Sequence, residues 1–468
     1  MKTKKEKIHF IGIGGSAIAP LAVEISKHGY VVSGSDVVFW DPALSLLKKN
    51  KIDFYEGAKP EKIKNADLII IGGSILMKDG ENPEFVEAKK LKKQIESFTY
   101  LIDKHIIKDE SIVVCGTYGK TTITSLIAWI LEVANLSPSF LVGGLPLNFE
   151  YGIKKTDSKY SVVEGDEYAA AFGFDMTPKF LHYSPKHTII TAAQWDHVNM
   201  YPTEESYKDA YKKLVKLVEK NNGQLYLSNN GENNTEIVEK YQGKVQKYGL
   251  KNGDFFTEDI NFEENRTTFL VKKGNEKIGD FQTKLIGIHN IENCLAAIAL
   301  TFDLGIDLEK IQEGIKTYNG VKRRLEVLGV NSKGATVIDD FAHSPIKAQS
   351  TLEALRTRFK KNKIITIYSP RVSERESKNT LTWYKETFKE TDHIIIPKIT
   401  VKKSTEKEFR IHGIDIINAI NKDENSKHYF PKEEHILNFL KENSDKKTII
   451  VFMSAGGWGD LMKKSLEI

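Results

Sequence analysis

Residues 112–122 read Ile-Val-Val-Cys-Gly-Thr-Tyr-Gly-Lys-Thr-Thr and run directly into the apolar segment Ile123 to Val133. A short apolar run, then glycines, then apolar residues at helical spacing predict a strand, a tight turn and a helix. Gly116-Thr117-Tyr118-Gly119-Lys120-Thr121-Thr122 is then a phosphate cradle. Glycines let successive backbone N–H groups point at one anion, and the helix N-terminus adds favourable partial charge. Lys120 is placed for the terminal phosphates of a nucleotide and the Thr121 hydroxyl for Mg2+. The full phosphate-loop pattern asks for a glycine where Val114 stands, so this is a shortened variant. The plainer interpretation, a glycine turn with an incidental Gly-Lys-Thr, leaves the flanking strand and helix unused.

The same strand, turn and helix logic recurs on both sides of this loop. Lys7 to Ile13 reads as a strand, Gly12-Ile13-Gly14-Gly15-Ser16 as a turn, and Ala17 to His28 as a helix. A second strand, Val31 to Ser33, leads to Gly34-Ser35-Asp36, and Ala66 to Ile71 is another apolar strand ending in glycines. Downstream, Tyr160 to Glu164 and Thr188 to Ala192 continue the pattern. From about Gln224 to Leu285 it changes to short alternating segments with Asn, Gly and Glu-rich turns, which predict a small antiparallel insert. Helical spacing resumes at Ile291 to Phe302, and strands are expected at Thr336 to Asp339, Ile364 to Tyr368, His393 to Ile396 and Thr448 to Met453. Strands alternating with helices imply parallel sheets covered on both faces. The Lys-rich stretches Lys398 to Lys407 and Lys422 to Lys432 read as solvated surface.

The chain is 468 residues with 40% hydrophobic and 28% charged residues, enough for a buried core and too long for one small domain. Lys and Arg number 68 against 63 Asp and Glu, a net +5 spread along the chain, so nucleic acid is not suggested. Cys115 and Cys294 cannot build a disulfide framework, and a reducing, cytoplasmic setting is expected. Ile8 to Val23 is too short for a membrane span. Preceded by Lys2, Lys4 and Lys5 it imitates a secretory signal, but a buried strand and turn explains it better.

The loop Gly-Thr-x-Gly-Lys-Thr-Thr resembles the ATP loop of the Mur ligase family, the ATP-dependent amide-forming enzymes of peptidoglycan precursor assembly. Four more segments resemble that family in the same order: Glu164-Gly165-Asp166-Glu167; Asp196-His197; Gly287 to Asn293; and Val321 to Glu326 leading to Asp339-Asp340-Phe341-Ala342-His343-Ser344-Pro345. The resemblance implies an α/β protein of three domains. These are a Rossmann-like UDP-binding domain over 1–106, a central P-loop domain with the antiparallel insert over 107–321, and a Rossmann-like C-terminal domain over 322–468 that binds the acceptor. It also implies ATP and Mg2+, with Lys120, Glu164, His197, Arg324 and Asp340 as the catalytic set. Thr121, Glu164 and His197 would hold metal, Lys212 would be a carbamylated metal bridge, and His289 and Asn293 would meet the adenine. Arg324 would reach the phosphates from a hinge near Gly320-Val321, and Asp340 would help fasten the third domain over ATP. Gly12, Gly14, Gly15 and Ser16 with Asp36 roughly 20 residues on imitate a dinucleotide fingerprint. In this family they resemble the diphosphate turn, with Ser35 and Asp36 near the uridine.

Within the family, Gly143 to Phe149, Asp166-Glu167-Tyr168 with Ala171-Phe172, Lys179 to Pro185 and Met453 to Gly459 resemble the murein peptide ligase branch. That branch attaches L-alanyl-gamma-D-glutamyl-meso-diaminopimelate to UDP-N-acetylmuramate, so these two partners are expected, for a monomer or weak homodimer. His343 and Arg371 are the candidates for the peptide, Arg371 because a guanidinium fork binds carboxylates at two points. Tyr118, Ala192, Gln194, Ala169 and Ser369 depart from the family pattern, and they bear on acceptor identity more than on ATP use. UDP-N-acetylmuramate-L-alanine ligase shares every ATP motif and stays open as the alternative. From other classes, a nicotinamide dehydrogenase accounts for the first turn alone, and a non-catalytic nucleotide-binding protein for the departures alone.

Overall fold

The computed structural model describes residues 5–76, 82–197, 200–370, 378–399 and 411–468, without the side chains of 378 and 379. Among these, no helix is long and apolar enough to cross a membrane. The chain divides into two compact units. One comprises 1–259, 269–282 and 292–319, and the other 260–268, 283–291 and 320–468.

The first unit begins with a five-stranded sheet. Lys7–Ile11 lies between Val31–Asp36 and Leu68–Ile71, with Asp53–Glu56 and Gln94–Ser97 at the two edges, and every pairing is parallel. The run from Ile8 to Val23 supplies the core of this sheet: Ile8, Phe10, Ile11, Ile13 and Leu21 are all buried. The two edge strands escape pattern reading because DFYE and QIES carry too few apolar residues to show alternation. The polar stretch from Lys104 to Glu110 contains buried His105 and Ile106, where helix Phe98–His105 packs into the core.

The second sheet has ten strands, with Glu110–Cys115 near its middle, flanked by Tyr160–Glu164 on one side and His187–Ile190 on the other. Both pairings are parallel, with Cys115 opposite Ile190 and Val114 opposite Glu164. The phosphate loop, Glu164 and the segment after Ile190 therefore leave the sheet at one edge, the carboxyl edge where open parallel sheets bind ligands. The antiparallel element expected from Gln224 is shorter than its sequence pattern implies. Gln224–Ser228, Lys244–Gly249 and Phe255–Phe262 continue the sheet in parallel, and Thr267–Lys273 follows Phe255–Phe262 through a four-residue turn, with Glu276–Thr283 as its other neighbour. The link between the last two strands is Gly274 and Asn275, with Gly274 at φ 57°, and so short a link joins only antiparallel neighbours.

The second unit holds a six-stranded sheet in the order Glu326–Val330, Thr336–Asp340, Thr448–Ser454, Lys363–Ser369, His393–Pro397, Lys427–Phe430. The first pairing is antiparallel and the rest are parallel. Along Thr448–Ser454, Ile449, Val451 and Met453 enter one core and Ile450 and Phe452 the other, as period two requires in a sheet covered on both faces. The Lys422 to Lys432 stretch, expected as solvated surface, supplies the edge strand Lys427–Phe430. Lys398 is exposed, and residues 400–407 of the other Lys-rich stretch lie outside the described residues.

Candidate functional site

Strand Glu110–Cys115 ends in the glycine loop, and helix Lys120–Val133 begins immediately after Gly119. Gly116 has φ 124°, and a Cβ there would lie 2.1 Å from Thr191 Oγ1. Gly119 has φ 77°, with its missing Cβ 2.5 Å from Asn293 Oδ1. Only glycine fits both places. The loop is held by the Thr117 amide donating to the Ala192 carbonyl at 3.0 Å, Thr117 Oγ1 to Gln194 O at 2.7 Å and Thr191 Oγ1 to Tyr118 O at 2.6 Å. Ala192 and Gln194, two departures from the family pattern, thus serve the loop through their backbone carbonyls.

Four charged or titratable groups converge behind the loop. Lys120 Nζ donates to Gly116 O at 2.6 Å and to both oxygens of Glu167, at 3.1 and 2.9 Å. Glu164 accepts from Thr121 Oγ1 at 3.0 Å and from the Gly143 amide at 2.8 Å. A Cβ on Gly143 would sit 2.7 Å from Glu164 Oε2, so this glycine makes room for the acid. His197 Nε2 lies 2.8 Å from Glu167 Oε1, and the Tyr168 ring covers the imidazole with centroids 4.2 Å apart. His197 itself adopts φ 59°, an uncommon conformation for a residue with a side chain.

The electrostatics separate the two glutamates. Burial opposes ionisation of Glu167, but the Lys120 ammonium and the His197 hydrogen bond hold its carboxyl below the ordinary value. Burial also opposes the charge on Lys120, and the Glu167 and Glu164 carboxylates outweigh it and raise the ammonium. For Glu164 burial wins. Its proton affinity is raised against the pull of Lys120 and the Gly143 amide, because its direct partners are a hydroxyl and an amide. Glu164 is therefore the acid in want of a cation.

That chemistry fits Mg2+. Among the described residues no three His, Cys, Asp or Glu side chains form a preformed cage. Mg2+ needs none, since it keeps water and takes one or two carboxylates together with substrate phosphates. Glu164 with the Thr121 hydroxyl offers hard oxygens for it.

Helix Ile288–Asp303 carries His289 on its first turn and Asn293 one turn later. Asn293 is buried and faces Gly119. His289 is half-buried beside Gly287, and desolvation pushes its imidazole down to about 4.

The first glycine turn is built differently. Gly12 and Ile13 donate their amides to Ser35 O at 2.8 and 3.0 Å. Asp36 takes the Gly14 amide on one oxygen and the Val37 amide on the other, both at 2.8 Å. Burial raises the Asp36 carboxyl despite these amides. Gly15 and exposed Ser16 lie at the turn before helix Ile18–Lys27. Ser35, expected near a uridine, is turned inward: its side chain is buried and donates to Glu84.

In the second unit, Arg323 and Arg324 diverge. Arg323 donates to Asp339 Oδ2 at 3.2 Å and to the carbonyls of Ser454 and Gly456, each at 2.6 Å. Arg324 is exposed, lies over the Phe341 ring at 5.2 Å, and makes no ion pair with a described residue. Asp340 is buried with both oxygens used, accepting from the amides of Leu325 and Ala342 at 2.8 Å and from Thr351 Oγ1 at 3.0 Å. His343 is buried, with Nδ1 2.7 Å from Phe341 O. Arg371 lies outside the described residues.

Lys212 is corrected. Helix Glu204–Lys220 turns Tyr207 and Tyr211 toward the loop, with Tyr207 OH 3.4 Å from Thr117 Oγ1. Lys212 projects instead to a surface cluster, pairing with Glu205 at 2.9 Å and Glu236 at 3.1 Å. Glu167 is the residue missed. It stood inside a quoted motif, but only its depth and its two partners separate it from the acids beside it.

Three family models match the chain: "Mur ligase family, catalytic domain" over residues 7–106, "Mur ligase middle domain" over 114–301, and "Mur ligase, glutamate ligase domain" over 323–456. A UDP-N-acetylmuramate-L-alanine ligase from Acetivibrio thermocellus is 33% identical over 457 residues, 97% of this chain and 94% of that relative. Further relatives at 29–33% identity carry the same name. Among solved structures, a UDP-N-acetylmuramate-alanine ligase from Thermotoga maritima superposes with a TM-score of 0.79 at 24% identity, over 98% of each chain. A murein peptide ligase from Psychrobacter arcticus gives 0.67 at 23% identity, again over 98% of each. At those identities the two structures speak to the fold alone.

Proposed function

The chain belongs to the Mur ligase family, ATP-dependent amide ligases with a three-domain α/β fold, and from that premise we propose that it joins L-alanine to UDP-N-acetylmuramate. The expected murein peptide ligase activity, with a diaminopimelate tripeptide as acceptor, is corrected by the shared name of the relatives just described. The motifs that suggested it do structural work in this chain. Gly143 accommodates Glu164, Phe149 packs on Phe140 with centroids 4.5 Å apart, Phe180 packs on Tyr211 at 5.3 Å, and residues 454–456 receive Arg323.

The observation that carries the proposal is the convergence of Lys120, Thr121 and Glu164 at one helix N-terminus on the carboxyl edge of a parallel sheet. A carboxylate cannot expel oxide, so the lactyl carboxylate of UDP-N-acetylmuramate takes the γ-phosphoryl group of ATP and becomes an acyl phosphate. The L-alanine amine then attacks the acyl carbon, phosphate leaves with the bonding pair, and the amide nitrogen loses its proton. Lys120 and the loop amides stabilise charge on the transferred phosphoryl group. Thr121 and Glu164, with His197 as the resemblance implies, would hold Mg2+, which would supply further charge compensation. Asn293, beside Gly119, and His289 contact the adenine side of ATP, and Arg324 and Asp340 act as the family resemblance implies. Gly15, Ser16 and Asp36 serve the UDP moiety, and His343 the acceptor. The division at 1–106, 107–321 and 322–468 is supported by the spans of the three family models. Two buried free cysteines support a cytoplasmic setting.

The deciding experiment is phosphate release from ATP with UDP-N-acetylmuramate and Mg2+, offered L-alanine, the tripeptide or no acceptor. Release that requires L-alanine is the expected result. Release with the tripeptide alone, or none with either, overturns the proposal.

A further inference from the structure

A phosphate-binding lysine is useful in proportion to its uncompensated charge, and Lys120 has little. Glu167 meets it with both oxygens, at 2.9 and 3.1 Å, and is 1% exposed, so water screens this pair weakly. The same acid fixes the imidazole of His197 at 2.8 Å, and the Tyr201 hydroxyl donates to its backbone carbonyl. The three N–H groups of the ammonium already face three acceptors, Gly116 O and the two Glu167 oxygens, so a phosphate oxygen shares the ammonium with Glu167.

We propose that Glu167 is a positioning residue that aims Lys120 and His197 while neutralising the lysine, so that the loop takes a nucleotide with its divalent cation and discriminates against the bare nucleotide. This rests on the nucleotide-dependent activity proposed above. Without a cation, the polyphosphate faces Glu164 and Glu167 with the Lys120 ammonium already paired. With one, the surplus negative charge is cancelled on the ligand side and the aimed N–H of Lys120 is kept. Selectivity here comes from a repulsive element placed against the wrong form of the ligand. An ion pair that merely holds residues 164–168 against the loop carries no such preference.

The test is the affinity for ADP, in EDTA and in Mg2+, of the wild-type chain, Glu167→Gln, Lys120→Met and the double variant, with thermal midpoints recorded in parallel. Glu167→Gln keeps shape and removes one negative charge. It is expected to tighten metal-free ADP by about tenfold while changing Mg-ADP by less than about threefold, and to tighten metal-free ADP at least as much in the Lys120→Met background, where the Glu167 charge has no ammonium beside it. Unchanged or weaker metal-free binding at an unchanged midpoint overturns the proposal. If Glu167→Gln does not fold, Lys120→Met alone decides. That variant leaves the Glu167 charge unmasked and should lose about tenfold more affinity for metal-free ADP than for Mg-ADP, and equal losses overturn the proposal. Failure of the wild-type chain to bind ADP in either buffer removes the nucleotide reading as well, which separates the two failures.

Discussion

Glu84 and Glu167 are both buried glutamates, 0% and 1% exposed, and each has a histidine nitrogen close by: His9 Nε2 at 3.6 Å from Glu84 and His197 Nε2 at 2.8 Å from Glu167. They differ in who else donates to them. Glu84 receives the Ser35 hydroxyl, the Tyr55 hydroxyl at 2.6 Å and the Lys59 amide at 2.7 Å. The His9 imidazole first, and then these hydrogen bonds, overcome burial and bring its carboxyl down to about 2. All three belong to the first sheet and its connections, so Glu84 pins a scaffold. Glu167 shares its principal donor, Lys120, with the phosphate loop. Burial marks both residues alike, and the second task of the donor tells them apart.

The sharpest challenge to this contrast is Lys120→Met, expected to lower turnover by about a thousandfold while leaving the KM for UDP-N-acetylmuramate within about threefold, in steady-state kinetics. A large rise in that KM would mean that Lys120, like Glu84, supports the fold. Next comes Glu84→Ala, which takes the acceptor from the buried Ser35 hydroxyl, the half-buried Tyr55 hydroxyl and the Lys59 amide and should lower the unfolding free energy by about 2 kcal/mol in urea titrations, with turnover per folded molecule unchanged. Its pH signature follows from the sign of the shift. The folded carboxyl lies below its unfolded value of 4.5, so its stabilisation is complete above about pH 4.5 and is lost as pH falls toward about 2. Glu84→Gln should flatten that acid limb, and an unaltered limb removes Glu84 from its scaffold role. A smaller effect is expected of Asp36→Ala. Freeing the Gly14 and Val37 amides should raise the KM for UDP-N-acetylmuramate by about tenfold with kcat within about twofold, and a fall in kcat instead would tie the first turn to chemistry. The smallest is Lys212→Ala, whose partners are surface carboxylates and whose turnover should stay within about twofold.

The sheets and the loop were legible because their signals are local: apolar runs, glycines at the turn, helical spacing after it. Asp53–Glu56 and Lys427–Phe430 were not, since edge strands half open to water carry little apolar pattern. Within the candidate site, the residues that one local motif carries, Lys120 and Thr121, do come together with Glu164 at one helix N-terminus. Sequence pattern fails where direction decides. Ser35 and Asp36 are neighbours, yet strand alternation sends one hydroxyl inward to Glu84 while the carboxylate of the other stays at the turn. Lys212 and Tyr211 are neighbours on a helix, and only the tyrosine faces the loop. Acceptor choice was misread because the branch-like segments are packing and loop-holding residues, whereas Arg371, the one side chain chosen for direct contact with the peptide carboxylate, lies outside the described residues.

The strand Thr448–Ser454 sits between Thr336–Asp340 and Lys363–Ser369, although it follows both by many residues in the chain. During synthesis, the two halves of that sheet must therefore wait with facing edges unpaired until residues 448–454 have been made. Open edges of apolar strands are templates for pairing with other chains. On a crowded polysome the second unit thus keeps such edges open until that strand emerges, for reasons of strand order and independent of its final stability.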